Sequence, residues 1–196
     1  LGDSISLDRR SLSKVRAAKK LGALAARPLT RVNDVRSLPG DNEHAGQWEK
    51  EMHPYPHTYV VDASASPTGD VAVSSTRLPA LTVAPPQEFD GPGDRWSPET
   101  LLCAAVANCF ILTFRAHARA SKLEWSTLQC RTEAILDRVD GVPQFTRFVT
   151  HATLTIPAGA DPAKAHPLLQ KAEERCLVTN SLKGERHLEA TVETVV

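Results

Sequence analysis

Four cysteines carry the most reactive side chains in this sequence: Cys103, Cys109, Cys130 and Cys176. A thiolate serves as nucleophile, metal ligand or half of a redox pair, and spacing helps to separate the three. No Cys-x-x-Cys or Cys-x-x-His pair exists, so a structural zinc site would have to be assembled from scattered residues. His53 and His57 stand four apart, but Pro54 and Pro56 prevent the helix that would bring both to one face. A Gly-rich phosphate loop is absent too. No metal or cofactor is therefore expected. His117 and His151 read as half-buried or surface residues rather than catalytic bases. Cys103 precedes Cys109 by six residues, a rotation of roughly 240° at ~100° per residue, so the two face different sides of one helix and cannot bridge. Cys130 shares a strand face with Leu128 and Ala134 and reads as core packing. Taken alone, Cys109 also reads as structural, because free cysteine is among the most buried residue types. Cys176, between Arg175 and Leu177, reads as an ordinary helix-terminal residue.

The elements that must position these thiols follow from local pattern. Ser97 is a good N-cap, Pro98 suits the first helical position, and Glu99 complements the positive helix terminus. From Leu101 to Arg119 there is neither Gly nor Pro, and Leu101–Phe114 is apolar nearly all round except at Asn108 and Thr113. A helix without a polar face is a buried one. Before it, His57–Ala65, Asp70–Ser75 and Ala80–Ala84 are short β-prone runs, the first two separated by the turn signal Pro67-Thr68-Gly69. After it, Glu124–Val139 and Gln144–Ile156 alternate as half-buried strands around Asp140-Gly141. Leu128, Cys130, Ala134 and Leu136 are expected on one inward face, and Phe148, Ala152, Leu154 and Ile156 on another. A second helix is predicted from the N-cap pair Asp161-Pro162 to about Cys176, kinked at Pro167. The alternating run His187–Val196 forms the last strand. The order of strands, buried helix, hairpin, helix and strand predicts an α+β domain with a mainly antiparallel sheet.

Composition narrows the function classes. The 196 residues hold 23 Lys+Arg against 23 Asp+Glu and are 41% hydrophobic, enough for a real core and without whole-chain charge for nucleic acid or acidic membranes. No uninterrupted apolar run approaches the roughly 18–20 residues that span a bilayer. Residues 1–38 carry nine basic and three acidic residues, +6, leaving 14 basic against 20 acidic, −6, for the rest. Residues 1–50 are read as a basic, flexible extension, with a short amphipathic helix through Leu12, Val15, Ala18 and Leu21; residues 51–196 are read as the domain. Four cysteines are too few for a disulfide-rich secreted scaffold, and no secretory signal order is present, so a reducing cytoplasm is expected.

Two motifs change the weight of Cys109 and Cys176 in combination. Pro98-Glu99, then Leu101-Leu102, Ala104-Ala105 and Asn108-Cys109-Phe110, resembles the helix motif of the osmotically inducible and organic hydroperoxide resistance proteins, the OsmC/Ohr family. Ala172 through Cys176-Leu177-Val178-Thr179-Asn180-Ser181-Leu182 resembles the second motif of that family. The similarity covers about Pro54 to Val196 and includes the order of elements.

This resemblance implies an intertwined homodimer whose sheets wrap around two central helices. It implies a cysteine-based, thiol-dependent peroxidase acting on organic hydroperoxides. Cys109 would be the attacking thiol, Cys176 the resolving thiol, and a dithiol such as a lipoylated protein the reductant. Glu99 would hold an arginine near the reactive sulfur. Glu99 and Cys109 lie about 15 Å apart along one helix at ~1.5 Å per residue, so the glutamate would serve the thiol of the other subunit. The family's better-studied branches carry that arginine in the first hairpin, where this chain reads Ser66-Pro67-Thr68-Gly69-Asp70. Arg77 and Arg95 are the nearest substitutes, and the sequence does not choose between them. Two other readings stand beside the enzyme: a non-catalytic dimer that binds a small hydrophobic ligand, and an adaptor acting through the basic N-terminal segment.

Overall fold

The structure is a computed structural model and describes residues 53–195. The chain divides into two units, Leu1–His57 and Thr58–Val196. The basic extension and its amphipathic helix lie outside the described residues. In the first unit, His57 Nε2 lies 2.8 Å from the backbone oxygen of His53, so that ring meets backbone rather than a second ligand.

The second unit begins with a small antiparallel sheet, β1 (Asp62–Ser64), β2 (Val71–Ser74) and β3 (Leu81–Val83), in that order. Only Val83 in these strands is fully buried, while Val71 and Val73 are half-buried. The loop from Pro85 to Asp94 turns tightly back toward the first long helix. Gly91 donates its N–H to the oxygen of Pro86 at 3.0 Å. A Cβ at Gly91 would fall 1.6 Å from the oxygen of Pro85, so no other residue fits.

Helix α1 (Pro98–Ala120) starts where the N-cap signal put it. The Ser97 side chain accepts from the Thr100 N–H at 3.1 Å, and the Thr100 hydroxyl oxygen accepts from the Ser97 N–H at 2.8 Å. This reciprocal pair satisfies two of the donors that a helix start leaves open. Along α1, Val106, Phe110, Phe114 and Ala118 recur every fourth residue and are wholly enclosed. Phe114 meets Trp125 edge to face, with ring centroids 5.6 Å apart. Enclosing each large side chain of this stripe contributes about 1.5–3 kcal/mol. The opposite stripe, Ala105, Asn108, Leu112 and Ala116, is exposed in the single chain.

By length and composition alone α1 could cross a membrane: its most apolar 18-residue window has mean hydropathy 1.5. The absence of a long uninterrupted apolar run did not reveal this, because Ala and Cys keep the average high around Asn108 and Thr113. In this fold its enclosed stripe is part of a protein core.

The large sheet has the order β4 (Thr127–Val139), β5 (Val142–Pro157), β6 (Glu185–Val195). β4 and β5 pair antiparallel from Thr127↔Thr155 to Val139↔Val142, with a register shift after Ile135. β5 and β6 pair parallel, from Arg147↔Glu185 to Pro157↔Val195. A parallel pair needs a crossover, and α2 (Pro162–Glu174) provides it. Asp161 caps α2 by accepting from the Ala163 N–H at 2.9 Å. The inner sheet face, Phe148, Thr150, Ala152, Leu154 and Ile156, is buried. Cys130 and Leu128 pack against the same core, with Ala165, Leu168, Leu169 and Ala172 of α2. Leu136, inward by alternation, is instead 40% exposed. The hairpin outruns β6, whose pairing with β5 begins only at Arg147, so among the described residues no third strand flanks its tip.

Candidate active site

Cys109 sits three turns into α1, one position before the enclosed Phe110, which fixes its rotation about the helix axis. Its side chain is half-buried at the edge between the enclosed stripe and the open one. At that depth the helix terminus gives little help to a thiolate, because the dipole acts within the first turn.

Cys176 follows the end of α2 and is fully buried. Its backbone oxygen is held by the segment that follows it, which contains the 3-10 turn Thr179–Ser181. The Asn180 N–H donates to the Cys176 oxygen at 3.0 Å. The buried Thr179 hydroxyl donates to the same oxygen at 3.3 Å. Asn180 Nδ2 donates to the Glu174 oxygen at 3.2 Å, and its Oδ1 accepts from Arg186 of β6. These bonds explain why a short polar stretch follows the cysteine: it folds the chain back over the end of α2 and locks it to the sheet.

The fold brings Cys109 and Cys176 near enough for one thiol to bear on the titration of the other, and both are free cysteines. Burial pushes the Cys176 thiol above the ordinary range, hydrogen bonds from Thr179 oppose that rise, and the neighbouring Cys109 adds to it. Cys130 is pushed up to about 11, first by burial and further by the charges of Glu173 and Cys176, while a bond from Thr132 opposes. Burial also raises Cys103, on the side of α1 that meets the backbone of Ala134. Cys130 packs against the core, as its place on the inward face of its strand indicated.

Cys109 opens into a groove of about 960 Å³ between α1 and α2. Tyr59, Leu112, Leu177 and Val178 supply apolar wall, and Asn108 and Thr113, the two polar interruptions in the helix, line it beside the thiol. At the α2 side stand Lys171 and Arg175, facing His117. Burial, then the charges of these two cations, pull the His117 imidazole below its usual range. Glu99, a full ten residues up the helix, does not line this groove, and its buried Oε2 meets no hydrogen-bond partner among the described residues. Arg95 is held by Asp94 at 2.8 Å and Asp70 at 3.3 Å. Arg77 forms no ion pair with a described residue. Neither lines the Cys109 groove. No group of three or more His, Cys, Asp or Glu side chains that could hold a metal exists among the described residues.

The OsmC-like protein family matches residues 91–191, more than half of the chain. The chain belongs to that family. It is 34% identical over 116 residues to the uncharacterized protein YmaD of Bacillus subtilis (strain 168), covering 57% of this chain and 77% of the relative. It is 30% identical over 136 residues to the organic hydroperoxide resistance protein of Xanthomonas axonopodis pv. citri (strain 306), covering 66% and 92%. An OsmC-like protein of unknown function from Vibrio cholerae O1 biovar eltor str. N16961 shares the fold with a TM-score of 0.65 at 14% identity, over 69% of this chain and all of that one. The organic hydroperoxide resistance protein OsmC of Legionella pneumophila superposes with a TM-score of 0.57 at 26% identity, over 71% and 99%.

In this OsmC-like protein the cations that line the Cys109 groove, Lys171 and Arg175, are ones that sequence reasoning passed over. Lys171 and Arg175 stand four apart, so they share one face of α2. That spacing acquires meaning only when α2 is seen lying along α1. The one available signal was that Arg175 directly precedes Cys176.

Proposed function

We propose that this OsmC-like protein is a thiol-dependent peroxidase for organic hydroperoxides, with Cys109 attacking and Cys176 resolving. The observation that carries this reading is the asymmetry of the thiol pair: Cys109 opens on a groove, while Cys176, within reach of it, is fully buried. A peroxide entering the groove meets Cys109 first. The Cys109 thiolate attacks the terminal oxygen of R–O–O–H, the O–O bond breaks, and the alkoxide leaves as R–OH after taking a proton. Cys109 is then a sulfenic acid. The Cys176 sulfur attacks that sulfur, a disulfide forms, and the hydroxyl leaves as water with the thiol proton. A dithiol, such as a lipoylated protein, restores both thiols and is itself oxidised to a disulfide. The names of the Xanthomonas relatives, organic hydroperoxide resistance proteins, support the substrate class.

The same reading holds the protein to be a homodimer with a shared site. The open stripe of α1 and the sheet β1–β3, with few buried residues, are the surfaces a second copy would cover. An antiparallel partner helix would bring Glu99 of the other chain toward Cys109, where its unpartnered oxygen would find an arginine to hold.

The test is a thiol count on purified protein before and after one equivalent of cumene hydroperoxide, with peptide mapping. The expected outcome is loss of two thiols and a Cys109–Cys176 linkage. Persistence of reduced Cys109 in excess peroxide would overturn the reading and leave the apolar groove as a ligand-binding site.

A further inference from the structure

We infer that the disulfide formed in turnover is opened at one sulfur only: the recycling thiol attacks Cys109, and Cys176 leaves. The inference rests on the proposed peroxidase reading for the bond itself, but the direction of its opening stands on burial. Thiol–disulfide exchange depends on which sulfur is attacked and on access to it, and the incoming sulfur must line up with the bond that breaks. Cys176 offers no such approach, because its exposure is 0%. Its neighbour Leu177 is 70% exposed, so the chain runs at the surface here and turns the cysteine inward. The segment beyond is tied down by bonds from Asn180 and Thr179 to the Cys176 oxygen and from Asn180 to Glu174. Cys109 is only half-buried. A second copy laid over α1 can only subtract exposure, so burial that one chain already achieves persists in any assembly. Cys176 is closed in a dimer as in a single chain, and of the two only Cys109 has exposure to lose.

Leaving-group chemistry by itself does not favour this direction. The departing sulfur leaves as a thiolate, and a thiol of higher pKa leaves more slowly. Burial raises the Cys176 thiol, and hydrogen bonds from Thr179 offset part of that rise. Access therefore decides against the leaving-group preference. The attacking thiolate of the reductant forms a bond to the Cys109 sulfur, the Cys109–Cys176 bond breaks with its electron pair on Cys176, and Cys176 takes up a proton. The second thiolate of the dithiol then attacks the reductant's own sulfur in this mixed disulfide. The reductant leaves as a disulfide, and Cys109 is freed as a thiolate.

Two measurements test this and keep it apart from the peroxidase reading. In the first, reduced full-length protein is exposed to limiting iodoacetamide and mapped by peptide, natively and in denaturant. Native Cys109 is expected to be alkylated about tenfold or more faster than Cys176, a preference that disappears in denaturant. Equal native rates overturn the inference even if the peroxidase chemistry stands. In the second, protein oxidised with diamide, which involves no peroxide, is mixed with 2-mercaptoethanol and quenched in acid before the freed Cys176 can return. The mercaptoethanol adduct is expected on Cys109, with Cys176 recovered as a thiol. An adduct on Cys176, or on both in equal amount, overturns the inference. So does failure of diamide to join Cys109 to Cys176. If diamide closes the bond and cumene hydroperoxide does not, the peroxidase reading falls, and an adduct on Cys109 still sustains the direction of opening.

Discussion

Cys176 titrates under opposing influences, and the balance has a kinetic consequence. Burial raises its thiol above the ordinary range, Thr179 pulls it down, and Cys109 raises it again. Attack on a sulfenic acid uses the thiolate, so well below the thiol pKa each unit of pH multiplies the reactive fraction about tenfold. Disulfide formation is therefore expected to accelerate steadily from pH 7 to 9 and still to be rising at 9. Rapid-quench counting of the second thiol, after one equivalent of peroxide, measures it; a flat profile would show that the proton leaves by another route. Thr179→Val, which removes the hydroxyl that opposes the rise of the Cys176 thiol, is expected to slow the step at pH 7. At this scale the sequence was legible where a residue type is informative by itself. Cysteines, their helical phase and the Asn180 stretch could be read directly. Lys171 and Arg175 could not, because a surface cation on a helix looks the same whether or not a thiol lies across the neighbouring groove. Arg95 stands close to the helix motif along the chain, and its engagement with Asp94 and Asp70 was not legible from that closeness.

At the scale of elements, α1 depends on how it begins. Ser97 is 1% exposed and joins Thr100 in a reciprocal cap. Ser97→Ala removes the acceptor for the Thr100 N–H in a place water does not reach, and is expected to cost about 1–2 kcal/mol. A thermal melt should show the midpoint lowered by roughly 2–4 °C for each kcal/mol; an unchanged midpoint would mean that the remaining Thr100 bond suffices. Among the described residues, α1, α2 and the six strands were legible because capping residues, prolines and alternation are local signals. The parallel pairing of β6 with β5 was not, because alternation in His187–Val196 is equally compatible with either direction. The clue was the helix between them, which a parallel pair requires and a hairpin does not. The exposed Leu136 illustrates the converse limit: alternation assigns a face, but only the length of the neighbouring strand decides whether that face is covered.

For the whole molecule, the uncovered stripe of α1 and the unpartnered Glu99 oxygen lead to one prediction. On the proposed reading of a site shared between two chains, mixed dimers of Glu99→Ala and Cys109→Ala subunits would hold one intact site, so peroxide turnover is expected to recover to about half that of the unaltered protein. Activity no greater than either parent would place Glu99 outside the site. The expectation of an enveloped central helix came from its apolar composition, which counts every face alike; a single chain encloses only one stripe of it. A last consequence concerns the path of the chain between the two thiols. Cys109 and Cys176 are neighbours in space but roughly 70 positions apart along the backbone, and the whole β4–β5 hairpin and α2 lie between them. Joining them would tie a long loop in the unfolded chain, restricting its freedom by about 4 kcal/mol in the chain-entropy picture. By the thermodynamic cycle, the native fold holds that bond more tightly than an unfolded chain does, by the same amount. Each round of oxidation would thus leave the protein harder to denature, and returning it to the dithiol form would demand a correspondingly stronger reductant.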